Sequence, residues 1–229
     1  MNNKPFVTNS LILNAFEFIK KKDFLKAKKL LEKAISINPE IFEANHNLAI
    51  LNFQLGNIDD SILFFEKSKK LKPEFTQVYF NTALAYDRAN KIELAIQNFK
   101  KVTELDSNNS LAFLNIGILY KKKFNSIKAS KYLNKSIDLN SNNLLAYHEL
   151  FGLYERSNQM KEYKTLLDKF KKSSIEEDLF YFYYAIYNFS QKNYHKAIEV
   201  FEKIDLKKDY LHQNINKHTF LAKSYDRIN

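Results

Sequence analysis

Three asparagines recur at a constant spacing in this 229-residue chain, at Asn47, Asn81 and Asn115. A primary amide both donates and accepts hydrogen bonds, so it can pair with the N–H and C=O groups of a peptide backbone without reading the peptide's side chains. These residues are therefore candidates for holding an extended peptide. The alternative explanation is compositional, because asparagine is abundant throughout the chain.

Catalytic chemistry has no comparable basis in the sequence. The chain contains no cysteine and 3 glycines, which excludes a thiolate metal site and leaves no glycine-rich phosphate loop. We therefore expect neither a cofactor nor enzymatic activity. The five histidines lie in different segments and are not expected to share a metal ion: His46, His148, His195, His212 and His218.

The elements that position the asparagines form a 34-residue repeat, with copies beginning at residues 8, 42, 76, 110, 144 and 178. Position 20 of the repeat holds a small residue in five of six copies, and position 24 holds a large apolar residue in all six. Small residues let two helices approach closely, and a large neighbour fills the remaining gap. The residues are Ala27, Ser61, Ala95, Ala129 and Ala197 at position 20, and Leu31, Phe65, Phe99, Leu133, Leu167 and Phe201 at position 24.

Each copy has the pattern of two amphipathic helices. Apolar residues recur at three- and four-residue intervals, as at Phe24, Ala27 and Leu31, with lysines between them. The 3 glycines and 3 prolines are too few for the turns of a sheet protein, so we predict an all-α fold. The predicted helices lie near residues 10–20, 24–36, 43–54, 58–70, 77–88, 92–104, 111–123, 127–138, 145–156, 160–172, 179–191, 194–204 and 216–227.

The repeats resemble those of the tetratricopeptide repeat (TPR) family. The resemblance rests on tyrosines at position 11, such as Tyr86 and Tyr120, on the Ala-x-x-x-Phe spacing, and on Pro39 and Pro73 at repeat ends. It is strongest in residues 42–143 and implies a right-handed α-solenoid of antiparallel helix hairpins. The predicted organisation is a leader at 1–7, repeats at 8–41, 42–75, 76–109, 110–143, 144–177 and 178–211, and a partial repeat at 215–229.

The family resemblance also implies a concave groove lined by the first helix of each repeat. The run of Asn47, Asn81 and Asn115 at position 6 is similar to the asparagine ladder in the TPR arm of O-linked N-acetylglucosamine transferases, which grips a peptide backbone. Some of the apolar candidates can instead pack against adjacent repeats. The candidate groove residues are His46, Asn47, Ile50, Phe80, Asn81, Leu84, Leu114, Asn115, Ile118 and His148.

Two functions fit this reading. The first is a non-catalytic scaffold that binds a protein or an extended peptide in the groove. The second is the substrate-positioning arm of a longer transferase, a sulfotransferase or glycosyltransferase, with its catalytic domain beyond residue 229. The segment FLAKSYDRIN is similar to the helix that precedes the sulfotransferase domain in bacterial TPR fusions. Its apolar residues, including Phe220 and Tyr225, are expected to meet a following helix or to mediate self-association.

Charge and hydrophobicity indicate the partners and the localisation of the protein. The net charge is +10, but arginine occurs only at Arg88, Arg156 and Arg227, so nearly all of the positive charge comes from lysine. Lysine lacks the planar guanidinium that binds bases and phosphates through two hydrogen bonds. We therefore place the lysines on solvated helix faces and expect no nucleic-acid partner. The start of the chain lacks the pattern of an export signal, and the longest apolar stretch, 180–189, is too short to cross a bilayer. We expect a cytoplasmic protein without a membrane partner.

One repeat departs from the pattern. In the copy beginning at residue 144, positions 8, 20 and 27 hold the bulky Phe151, Tyr163 and Phe170. Either the two helices stand further apart here or a neighbour such as Gly152 makes room for the rings. The copy is interpreted as a repacked repeat or as a hinge.

Overall fold

A computed structural model describes residues 4–173, 175, 177–205 and 211–228. These residues contain thirteen helices and no strand, so the predicted all-α fold is confirmed. The helices are α1 Lys4–Lys20, α2 Phe24–Ile37, α3 Phe42–Gln54, α4 Ile58–Leu71, α5 Thr76–Arg88, α6 Ile92–Leu105, α7 Ser110–Lys122, α8 Ser126–Leu139, α9 Leu144–Arg156, α10 Met160–Lys171, α11 Glu177–Ser190, α12 Tyr194–Lys203 and α13 Leu211–Asp226.

The helix ends agree with the predicted ones to within two residues except at two places. Helix α1 begins at Lys4 rather than at residue 10, so residues 4–7 of the predicted leader are helical. Pro5 is compatible with this start, because the first helical turn needs no N–H donor from proline. Helix α13 begins at Leu211 rather than at residue 216.

The turn between the two helices of every repeat has the same backbone geometry. One residue per repeat has a φ between 54° and 83°, in the left-handed region: Lys22, Gly56, Asn90, Phe124, Asn158 and Lys192. The following amide donates to a carbonyl five residues back, as in Asn57 N to Asn52 O at 2.8 Å and Asn125 N to Tyr120 O at 2.9 Å. This is the Schellman arrangement, which satisfies carbonyls at a helix end. It recurs every 34 residues, and glycine occupies the left-handed site once.

The two repeat positions identified in the sequence form the core of the hairpins. The small residues at position 20, such as Ala27 and Ala95, are 0% exposed. The large residues at position 24, such as Leu31 and Phe99, are at most 3% exposed in all six repeats. Burial of the large side chains at position 24, each of which contributes roughly 1.5–3 kcal/mol, therefore holds the helix pairs together.

The chain forms two compact units, divided between Leu119 and Tyr120. In the first unit, α1 pairs with α2, α3 with α4, and α5 with α6, and each pair contacts the next. In the second unit, contacts run in chain order from α8 to α13. The described C-terminal helix α13 packs its Phe220 ring against Phe189 at 5.3 Å and Phe201 at 6.2 Å, whereas Ala222 and Tyr225 are exposed.

The structure shows how the atypical fifth repeat accommodates its large aromatic rings. Phe151 lies 4.8 Å from Tyr163 and 5.7 Å from Phe170 between ring centroids. Apart from its chain neighbours, the atoms nearest to a Cβ added at Gly152 belong to the Arg156 guanidinium, at 3.7–3.9 Å, and not to the Tyr163 or Phe170 ring, so Gly152 does not make room for these rings. Helices α9 and α10 approach each other along less of their length than α1 and α2 do. The helices stand further apart, which is the first of the two predicted alternatives.

Candidate functional site

The structure distributes the ten candidate residues over two units. Helices α3 and α5 and the part of α7 that belongs to the first unit carry nine of them, and α3 and α5 are in direct contact. We call these nine residues the α3–α5–α7 surface. His148 lies apart from them on α9 in the second unit. The nine are His46, Asn47, Ile50, Phe80, Asn81, Leu84, Leu114, Asn115 and Ile118.

The three candidate asparagines share one environment. Each is half-buried and hydrogen-bonds to the residue four positions earlier on its own helix. Asn47 Nδ2 donates to the Glu43 carbonyl at 2.6 Å, and Asn115 Nδ2 donates to the Leu111 carbonyl at 2.8 Å. Asn81 Oδ1 accepts from the Gln77 side chain at 2.9 Å. These bonds hold each amide in place, and since an amide has two N–H groups and a carbonyl oxygen, each uses only part of its hydrogen-bonding capacity.

His46 differs from the other candidates because it lies in an aromatic cluster. Its ring stacks on Phe42 with centroids 5.3 Å apart and lies 5.8 Å from both Phe65 and Phe75. The side chain is 8% exposed, and burial lowers its pKa, an effect that nearby Lys72 reinforces and Glu43 opposes. His46 is therefore neutral at neutral pH and offers little surface to a ligand.

The apolar candidates divide by exposure. Leu114 is 5% exposed and belongs to the core. Ile50, Phe80, Leu84 and Ile118 are half-buried, and the Phe80 ring packs edge-on against Phe99 at 5.2 Å. The accessible part of the α3–α5–α7 surface thus consists of four apolar side chains and three amides.

An ion pair borders this surface. Lys72 Nζ lies 2.8 Å from Glu43 and 4.2 Å from the centroid of the Phe42 ring. The hydrogen bond from Lys72 lowers the pKa of the Glu43 carboxyl, which is therefore ionised at neutral pH. Both side chains are about half exposed, so the pair stabilises the fold by about 1 kcal/mol or less.

Two other asparagines of α3 have structural roles that the sequence analysis missed. Asn45 is 0% exposed, and its Nδ2 donates to the carbonyls of Pro39 at 3.0 Å and Ile41 at 2.7 Å. Asn52 Oδ1 accepts from Lys28 Nζ at 2.9 Å. Periodicity could not identify them, because neither asparagine recurs at the same position in the next repeat.

His148 belongs to a separate small cleft in the second unit. Its Nδ1 lies 2.9 Å from the Tyr183 hydroxyl, and the cleft has a volume of about 290 Å³. Gly152 and Glu155 also line it. Burial raises the pKa of Glu155, although Arg156 and Lys223 oppose this shift.

Neither a metal site nor a membrane span is found in the described part of the chain. Within those residues no three His, Asp or Glu side chains lie close enough together to hold a metal ion. None of the described helices has the length and apolar character needed to cross a bilayer.

The fold and the repeating surface define an α-helical repeat protein built from two-helix units. The sequence model of the tetratricopeptide repeat matches residues 15–41, 42–75, 76–109 and 111–143, more than half of the chain. The chain therefore belongs to the TPR family, as the resemblance predicted. No curated protein sequence matches the chain.

Solved structures share the fold at low sequence identity. PilF of Pseudomonas aeruginosa has a TM-score of 0.66 at 17% identity, over 88% of this chain and 92% of that chain. MamA of Desulfovibrio magneticus has a TM-score of 0.65 at 17% identity, over 75% of this chain and 94% of that chain. YrrB, described as a TPR protein with an unusual peptide-binding site, has a TM-score of 0.62 at 17% identity, over 86% of this chain and 97% of that chain. These likenesses confirm the predicted fold class.

Proposed function

We propose that the protein is a non-catalytic scaffold whose α3–α5–α7 surface binds an extended segment of a partner protein. The observation that carries this proposal is the repetition of one amide environment: Asn47, Asn81 and Asn115 are all half-buried at the same repeat position. Amides at regular intervals can hydrogen-bond successive backbone groups of an extended chain. The half-buried apolar residues beside them would contact its side chains.

The intrahelical hydrogen bonds of the asparagines support this role. Because Asn47 and Asn115 are already held by carbonyls of their own helices, they lose less side-chain freedom when a ligand binds. The description of YrrB as having a peptide-binding site supports a peptide ligand for a chain of this fold.

The test is a triple substitution, Asn47→Ala, Asn81→Ala and Asn115→Ala, in the full chain. A dodecapeptide selected from a random phage-displayed library on the wild-type protein serves as probe, and fluorescence anisotropy measures its affinity. At about 1 kcal/mol for each hydrogen bond, the triple variant should bind roughly 100-fold more weakly. Thermal unfolding should change little, because alanine favours the helix and each asparagine is partly exposed.

The matched control is Gln97→Ala, which removes an exposed amide from the second helix of a repeat. The control should bind the peptide as the wild type does. Equal affinity of the wild type and the triple variant for every selected peptide would refute the proposed surface.

A further inference from the structure

A cleft in the second unit lies between α10 and α12 and is floored by α11. Its volume is about 690 Å³, and it is separate from the α3–α5–α7 surface. Phe180, Tyr184 and Tyr187 lie on its floor at intervals of four and three residues, so they form one stripe along α11. The rings of Phe180 and Tyr184 are nearly parallel, with centroids 6.0 Å apart.

Comparison among the repeats shows that this stripe is normally closed. The equivalent positions 3, 7 and 10 in the second to fifth repeats hold smaller residues that are at most 5% exposed. In the sixth repeat, all three are large aromatic residues that are only half-buried. The closed positions are Ala44, Leu48, Leu51, Val78, Thr82, Ala85, Ala112, Ile116, Leu119, Ala146, Leu150 and Leu153.

The preceding helix also departs from the repeat pattern. Tyr163 of α10 occupies position 20, where the other five repeats have alanine or serine. Its ring is fully buried and lies 6.0 Å from the Tyr187 ring, and its hydroxyl donates to the Tyr183 carbonyl at 3.1 Å. A bulky ring therefore lies against Tyr187 of the stripe, at a position that holds only a methyl or hydroxymethyl group in the other repeats.

Lysines line both walls of the cleft. On α12, Lys196 and Lys203 each lie 2.8 Å from Glu199, and these bonds lower the pKa of that carboxyl to about 2. On α10, Lys164 and Lys171 have no carboxylate within ion-pair distance among the described residues, and Lys171 Nζ lies 5.6 Å from the Phe180 ring centroid.

Lysines outnumber carboxylates in the lining of the cleft by one. The lysines are Lys164, Lys171, Lys196 and Lys203, and the carboxylates are Asp168, Asp178 and Glu199.

We propose that this cleft docks an acidic amphipathic helix of a partner protein. Apolar side chains of the ligand would cover Phe180, Tyr184 and Tyr187, and its carboxylates would face Lys164 and Lys171. The stripe runs from Phe180 to Tyr187, so it is about 10 Å long and matches two turns of a ligand helix.

The cleft favours a helical ligand over an extended one. Its walls and floor are helices, whose backbone N–H and C=O groups bond within each helix and offer no free edge. An extended segment would therefore lose backbone hydrogen bonds to water on docking, whereas a helix satisfies its own.

The test uses two synthetic 18-residue helical peptides with leucines at i, i+4 and i+7. One carries glutamates on its other face, and the second has lysines in their place. In fluorescence anisotropy with the full chain, the glutamate peptide should bind at least tenfold more tightly than the lysine peptide. The double variant Lys164→Glu and Lys171→Glu should reverse this preference, and Tyr184→Ser should weaken binding of the glutamate peptide at least tenfold.

The control is the double variant Lys29→Glu and Lys33→Glu on α2, which makes the same charge change at exposed positions of the first unit. It should bind the glutamate peptide as the wild type does, and so should the triple asparagine variant. Helix content measured by circular dichroism verifies that each variant is folded. The proposal is overturned if neither peptide binds, if the two bind equally, or if a single-stranded oligonucleotide binds more tightly at physiological salt and loses this binding in the Lys164/Lys171 variant.

Discussion

One residue in the turn of each repeat has a left-handed backbone conformation, and we predict that substitutions at two of these sites change the stability of the protein in opposite directions. At Gly56, φ is 83°, and a Cβ added there would meet no atom within 4 Å. At Phe124, φ is 56°, and the side chain is 94% exposed. An alanine side chain therefore fits at position 56, and little packing is lost when the side chain at position 124 is removed. The effects of Gly56→Ala and Phe124→Gly on stability should thus depend on backbone conformation alone.

The magnitude follows from two opposing terms. A residue with a Cβ costs about 1–2 kcal/mol in the left-handed region. Replacing glycine by alanine also removes about 0.4–1 kcal/mol of unfolded-state entropy, which favours folding. The net effect is about 0.5–1 kcal/mol, destabilising for Gly56→Ala and stabilising for Phe124→Gly. For a chain of this size the melting temperature should shift by about 1–4 °C in opposite directions.

The free energy of unfolding and the melting temperature of both variants are measured on the full chain under the same conditions, by urea denaturation and thermal melting monitored by circular dichroism. Hydrogen exchange of the Asn57 and Asn125 amides, which donate to Asn52 O and Tyr120 O, reports the same change at each turn. Phe124→Asn is a second variant at the same site, because asparagine tolerates the left-handed region better than other residues with a side chain. The reasoning is wrong if Gly56→Ala stabilises the protein or if Phe124→Gly destabilises it.

Two further predictions concern single side chains. Burial lowers the pKa of His46 in the folded protein. Just below the ordinary histidine pKa, the unfolded chain therefore binds more protons than the folded one, and the free energy of unfolding should fall as the pH drops below about 6.5. In urea titrations, His46→Phe should remove the part of the fall in unfolding free energy between pH 7 and pH 5 that comes from His46. If the pH dependence of stability is the same in this variant as in the wild type, His46 does not cause it. Gly152→Ala should stabilise the protein by about 0.5–1 kcal/mol, because Gly152 lies inside α9 and the nearest atoms that the added Cβ meets, those of Arg156, are at ordinary van der Waals distance. A lower melting temperature for that variant would show that the site needs glycine.

Much of the fold could be predicted from the sequence because its signals are local and repeated. Apolar spacing determines which residues are helical, and the small residues at position 20 mark where two helices meet, as at Ala27 and Ala95. The same period placed Asn47, Asn81 and Asn115 at equivalent positions, and the structure gives them similar exposure and hydrogen bonds within their own helices.

Other features depended on side chains that come together from distant parts of the chain. His46 shares its repeat position with the half-buried Phe80, yet Phe65 and Phe75, which follow it in sequence by 19 and 29 residues, enclose its ring. At the cleft beside α11, Tyr187 lies against Tyr163 of α10, a contact between residues that are 24 positions apart in the sequence. The sequence determined which residues are helical and in what phase, since these depend on neighbours within a turn or two. Tertiary packing alone decided which helix faces stay open, because that depends on the volume of side chains contributed by another helix.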